Sequence, residues 1–176
     1  MADFKQAYNL TAAIEGGYTV DNGGPTYKGI SSKAWGNDEL GKKIFKIVFA
    51  AKPRKGKFIQ NDQLDQLVYA FYKKNFWDKI KGDDISNQTL ANFLYDFYVN
   101  SGAAAFIVNA ALGLGRSGSI STNTVKKLNT DPSIAYNVVK AARRNYFVKL
   151  GQQPQLKKYL KNWLERIDSF PETLTA

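Results

Sequence analysis

The chain contains neither histidine nor cysteine. Imidazole and thiolate chemistry are therefore closed to it: no Ser-His-Asp triad, no cysteine nucleophile, no His or Cys ligand for zinc. The acid–base groups left near neutral pH are carboxylates, lysines and tyrosines. Two carboxylates stand out by position. Glu15 sits where the apolar period of a first helix gives way to Gly16-Gly17, and Asp21 lies six residues on. A helix C-terminus carries partial negative charge, so a carboxylate there is mildly disfavoured and its protonated form favoured. A general acid needs that direction of shift. A glutamate at a helix end facing an aspartate across a turn resembles the two-carboxylate plan of glycoside hydrolysis. Each residue alone also has a plainer reading, Glu15 as a surface group before a glycine cap and Asp21 as the start of an Asx turn.

The elements that must position these groups are helical almost throughout. Phe4, Ala7, Tyr8, Leu10, Thr11 and Ile14 line one face of a helix beginning near Asp3. Leu64, Leu67, Val68, Phe71, Tyr72 and Phe76 predict a second from about Asp62. Leu90, Phe93, Leu94, Phe97 and Tyr98 predict a third, closed near Asn100-Ser101-Gly102. A short helix should follow through Phe106, Ile107, Ala110 and Ala111. Asp131-Pro132 opens another, which stops at Gly151, and Leu156 to Ile167 forms the last. Only Tyr18 to Ile30 departs from this period. It is glycine-rich, and Asn22-Gly23 is a strong hairpin signal. The expected fold is mainly α, with a short β-hairpin or loop after the first helix.

Around the two carboxylates stand candidate substrate contacts. Tyr18 and Tyr27 offer ring faces suited to stacking on sugar, or to packing within the hairpin. Thr26 could position a water, touch a sugar, or serve as a turn hydroxyl. Asp96 and Asn100 share a helical face at four-residue spacing. They suit either a cleft wall or a buried hydrogen-bonding network. Trp77 and Trp163 read as core.

Of the 176 residues 44% are hydrophobic and 14% aromatic, which excludes wholesale disorder. The net charge of +10 points to an anionic polymer as partner. Gly41 to Lys57 holds seven basic residues and no acidic one, and its end, Lys52-Pro53-Arg54-Lys55-Gly56-Lys57, reads as a solvated loop. No cationic segment followed by an apolar one opens the chain, and no apolar run approaches the roughly 18 residues of a membrane span. The expectation is synthesis in the cytoplasm without a signal peptide, no stable membrane insertion, and action at the cell wall after release.

Several motifs, in order, resemble glycoside hydrolase family 108, a lysozyme-like family of phage and bacterial peptidoglycan hydrolases that includes secretion activators. They are Glu15-Gly16-Gly17-Tyr18 with Asp21, Gly23-Gly24, Thr26 and Gly29-Ile30; Asn75-Phe76-Trp77-Asp78; Asp96-Phe97-Tyr98-Val99-Asn100-Ser101-Gly102; and the closing stretch around Trp163-Leu164-Glu165-Arg166. The resemblance implies a lysozyme-like single domain. Residues 1–89 would form its catalytic region, and residues 90–172 are similar to a companion peptidoglycan-binding region packed with it. It further implies cleavage of the β-1,4 linkage between N-acetylmuramic acid and N-acetylglucosamine, with Glu15 as acid and Asp21 as second carboxylate. Peptidoglycan would be the partner, no metal or organic cofactor would be required, and a holin or other secretion helper would provide export. Two departures stand out. Gly41 to Lys57 is longer and more basic than the usual connection, and Ser117-Gly118-Ser119-Ile120-Ser121 replaces the common Asp-Gly-x-Ile-Gly. A non-catalytic wall-binding or secretion-assisting module would share the fold and the charge. Nucleic acid is not expected as a partner, since no recognition motif accompanies the charge.

Overall fold

A computed structural model describes residues 1–12, 16–21 and 24–174. The chain forms two compact units, one of Tyr8–Asn75 and one of Met1–Ala7 with Phe76–Ala176. The first helix, α1 (Phe4–Ala12), begins in one unit and ends in the other.

In the Tyr8–Asn75 unit the chain leaves α1 for a three-stranded antiparallel sheet in the order β1 (Thr19–Asp21), β2 (Gly24–Tyr27), β3 (Ile30–Ser31). Thr26 occupies the middle of it, opposite Thr19 on one side and Ser31 on the other. The β2–β3 turn is Lys28-Gly29, with φ of 45° and 75°. Two positive φ values in a two-residue loop make the type I′ hairpin, whose twist matches that of the strands. A single turn, α2 (Ser32–Trp35), leads to α3 (Glu39–Ala51), which packs against α4 (Asp62–Tyr72). Asp38 caps α3 by accepting the N–H groups of Leu40 and Gly41 at 3.0 Å. The helix buries Ile44, Phe45 and Val48, leaving Lys42, Lys43 and Lys46 in solvent. A π-helical turn, Lys73–Trp77, ends the α4 segment.

The second unit is built on α8 (Pro132–Leu150), the longest helix at 19 residues. Packed against it are α5 (Gln88–Asn100), α6 (Ala104–Ala111), α7 (Thr122–Thr130) and α9 (Leu160–Asp168). Asp131 caps α8 through the Ile134 N–H, with proline following as expected. Phe4, Trp77 and Tyr95 form an aromatic cluster with centroids 5.6–5.9 Å apart, which ties the N-terminus into this unit. Trp77 is fully buried, as expected, and its indole N–H donates to Asp83 at 2.7 Å. Trp163 is half-buried, against Phe147.

The centre of this unit is ionic. Asp96 on α5 is 1% exposed and Arg143 on α8 is fully buried. Arg143 Nη2 donates to Asp96 Oδ2 at 2.6 Å, and Arg166 Nε, on α9, donates to Oδ1 at 2.9 Å. One carboxylate thus joins three helices. The Arg143 Nε and Nη1 groups have no hydrogen-bond acceptor among the described residues. The guanidinium instead lies 4.9–5.9 Å from the ring centroids of Phe93, Phe97 and Phe147, whose faces attract a cation. Burial lowers the pKa of Arg143, and the Asp96 charge acts against that shift.

The mainly α plan with a short sheet after the first helix is the expected one. Helices α3 and α7 were not anticipated. In α3 the dense positive charge masked the Ile44-Phe45-Val48 face, and α7 carries only Val125 and Leu128 as large buried side chains. Removing the Asp96 carboxylate leaves the fully buried Arg143 guanidinium without its counter-charge. Asp96→Ala should therefore lose about 3–5 kcal/mol of stability in urea unfolding. A loss under about 1 kcal/mol, the worth of a solvent-exposed pair, would show that the network does not hold the helices together.

Candidate active site

Glu15 lies outside the described residues, as do Ala13, Ile14, Asn22 and Gly23. Asp21 is described by its backbone, which ends β1 opposite Gly24. The described residues that follow Glu15 in the chain and share the sheet with Asp21 lie within the Tyr8–Asn75 unit.

The chain re-enters at Gly16-Gly17-Tyr18. Tyr18 donates its N–H to the Lys57 carbonyl at 3.0 Å and accepts the Gly56 N–H at 2.7 Å. These two bonds pair the segment after Glu15 with the basic loop that follows α3. The pairing is close. A Cβ on Gly17 would stand 2.6 Å from the Lys57 carbonyl oxygen and 2.9 Å from that of Gly56. Only glycine admits the loop at that distance. The loop is itself a β-turn, closed by the Lys57 N–H on the Arg54 carbonyl at 3.0 Å. Gly56, at its third position, has a φ of +80°, the value a type II turn requires there.

Tyr27 fixes the other side of that loop. It is fully buried, and its hydroxyl accepts the Ile59 N–H at 3.1 Å. Its faces are covered, so it packs the hairpin and offers nothing to a sugar ring. Tyr18 is partly exposed and keeps that possibility. Thr26 is also partly exposed, with only a 3.5 Å contact from its hydroxyl to the Gly24 carbonyl. The β2–β3 turn is held to α4 by the Tyr72 hydroxyl on the Lys28 carbonyl at 2.6 Å and by Lys28–Asp65 at 2.7 Å. Tyr8 stacks edge-on against Tyr69 at 4.9 Å. Desolvation, with smaller contributions from Asp65, Tyr69 and Tyr27, pushes its hydroxyl up to about 12. Tyr8 therefore stays protonated at neutral pH and is no base.

The structure brings Tyr18, Asp21, Thr26 and Tyr27 together on one small sheet and its approach. It does not leave Asp96 free for substrate. The reason is the double arginine contact described above, which takes both oxygens of a buried carboxylate. Of the two readings for the Asp96–Asn100 pair, Asp96 follows the buried network. Asn100 ends α5 half-buried, and its buried amide oxygen accepts no hydrogen bond from the described residues. The Ser117–Ser121 segment is held by the Asn109 amide nitrogen, 3.0 and 2.9 Å from the carbonyls of Ser117 and Ser119. Ser121 then caps α7 in a reciprocal pair with Thr124. Among the described residues no group of three or more acidic side chains could hold a metal ion. None of their helices is long and apolar enough to cross a membrane.

The fold is similar to that of a solved structure, Brucella abortus SagA. The two share 21% identity at a TM-score of 0.66, over 95% of this chain and 90% of that one. No curated protein matches the chain. Residues 8–102, more than half of its length, match the model of the glycosyl hydrolase 108 family. The chain belongs to that family, and its reaction class is glycoside hydrolysis. The matched region runs from Tyr8 past Asn100 and so contains every residue singled out above for catalysis or substrate contact.

The close approach at Gly17 makes a direct prediction. Gly17→Ala forces the Gly56–Lys57 backbone away and should cost about 1–3 kcal/mol in urea unfolding, the usual penalty of overpacking. Gly16→Ala is the control, because a Cβ there meets nothing within 4 Å. It should stay within about 0.5 kcal/mol of the parent chain. Equal stability of the two variants would contradict the pairing of Tyr18 with the loop.

Proposed function

We propose that this glycosyl hydrolase is a muramidase, cleaving the β-1,4 linkage between N-acetylmuramic acid and N-acetylglucosamine in peptidoglycan. The observation that carries this reading is the family match across the Glu15–Asn100 stretch, in a chain of net charge +10 without histidine or cysteine. A carboxylate pair is the acid–base equipment such a chain has for the reaction, and its charge suits a wall rich in phosphate and carboxylate groups.

In this mechanism Glu15, protonated, gives its proton to the glycosidic oxygen as the C1–O bond breaks. Positive charge develops on the sugar ring, and Asp21 steadies it or orients the incoming water. Water adds at C1, and its proton returns the acid to its starting state. Tyr18 and Thr26, partly exposed beside the strand that ends at Asp21, are the sugar-contacting candidates the hairpin supports. The region from residue 90 onward would add wall affinity. Release from the cytoplasm through a holin or similar helper would bring the enzyme to its substrate.

Glu15→Gln tests the assignment. Glutamine keeps the size and polarity but cannot protonate the leaving oxygen, and general-acid help is worth about 10²–10⁴ in rate. Release of reducing ends from purified peptidoglycan should fall at least about a hundredfold, roughly 3 kcal/mol of transition-state stabilisation, with the melting temperature unchanged. A folded variant retaining more than about a tenth of the activity would remove Glu15 as the acid. If the parent chain binds the wall but releases no reducing ends, a non-catalytic wall-binding module is the right description.

A further inference from the structure

We propose that the Arg54-Lys55-Gly56-Lys57 turn is an anionic subsite of this hydrolase, taking the carboxylates of the peptide stems carried by its glycan substrate; the inference rests on the muramidase reading above. Arg54, Lys55 and Lys57 are all exposed. None of them, nor Lys52 before them, forms an ion pair among the described residues. Several cations elsewhere are engaged: Lys28 by Asp65, Arg143 and Arg166 by Asp96, Arg144 by Asp168. Lys140 rests on the backbone carbonyls of Phe170 and Pro171. Three exposed cations fall within the four residues of this turn.

The turn is not a loose loop. Its own Lys57–Arg54 bond closes it, Tyr18 holds it through two backbone bonds, and the Tyr27 hydroxyl anchors Ile59 just beyond. Three cations are thus presented from a rigid support, which lowers the entropy lost on binding. The support is also local to the chemistry, for Tyr18 is the third residue after Glu15 and leads directly into β1. Groups covalently attached beside the scissile bond are therefore what the turn would meet first. On muramic acid those groups are peptide stems, whose carboxylates are ionised at neutral pH. Arginine pairs a carboxylate through its planar fork, and lysines on flexible stems follow charges that move. Phe58, 58% exposed, adds an apolar face next to the turn for the aliphatic part of a stem.

The test compares soluble, uncross-linked glycan strands that keep their stems with the same strands stripped of them. Dissociation constants are measured by cold titration in the Glu15→Gln full-length chain. Stem-bearing strands should bind at least about tenfold tighter, the order expected of three modest exposed charge contacts. R54S/K55S/K57S should reduce that ratio to about twofold or less, with its melting curve unchanged. Salt gives a check that needs no substitution. The ratio should shrink as ionic strength rises from about 0.1 to 1 M and the screening length falls from about 10 to 3 Å. A parent chain without stem preference, or a preference that survives both the triple variant and high salt, overturns the subsite. So does tighter turn-dependent binding of a polyglycerol phosphate than of stem-bearing strands, which would make a phosphodiester polymer the ligand. Stem preference in a chain whose wild type releases no reducing ends upholds the subsite and removes the muramidase reading instead.

Discussion

Two backbone hydrogen bonds, between Tyr18 and the Gly56–Lys57 edge of a β-turn, fix the approach to the small sheet on which the proposed site rests. They exist only because Gly17 has no side chain to block the approach. The segment that follows Glu15, the entry into β1 and the cationic turn are therefore one unit of structure, not three neighbouring loops. Tyr27 and Tyr72 extend the same logic outward, each spending its hydroxyl on a backbone group of a connecting segment. Irregular backbone that would otherwise fluctuate is satisfied in this way by a few buried side chains.

The other unit uses a different device. An apolar bundle would slide among several packings, whereas a buried carboxylate shared by two arginines from different helices has one arrangement that satisfies it. Phe93, Phe97 and Phe147 complete the arrangement by giving the Arg143 guanidinium three ring faces in place of water. Asp96 holds the cation and Phe97 stacks on it.

Much of this was legible in the sequence, for reasons that differ by element. Helices α1, α4, α5, α6, α8 and α9 announce themselves through apolar residues at three- and four-residue spacing, and the Asp131-Pro132 cap marks the start of α8 without ambiguity. The hairpin followed from glycine content and Asn22-Gly23. Helix α3 did not stand out, because a run of lysines looks the same in a solvated loop as on the outer face of a helix whose inner face is Ile44, Phe45 and Val48. The role of Asp96 was open for a related reason. Four-residue spacing places it on a face with Asn100 but says nothing of Arg143, 47 residues away. The contact between Tyr18 and Lys57 is equally non-local. The glycines at 17 and 56 signalled turns, and only the folded chain shows that these two turns meet.

The proposed muramidase is distinguished from another glycosidase or a wall-binding module by the bond it would break, and the new chain end records that bond. Purified peptidoglycan digested with the full-length protein can be reduced with borohydride and its fragments identified by mass spectrometry. Cleavage after muramic acid leaves N-acetylmuramitol at every new end, which is the expected result. New ends carrying N-acetylglucosaminitol, or fragments released without any reducible sugar, would contradict it.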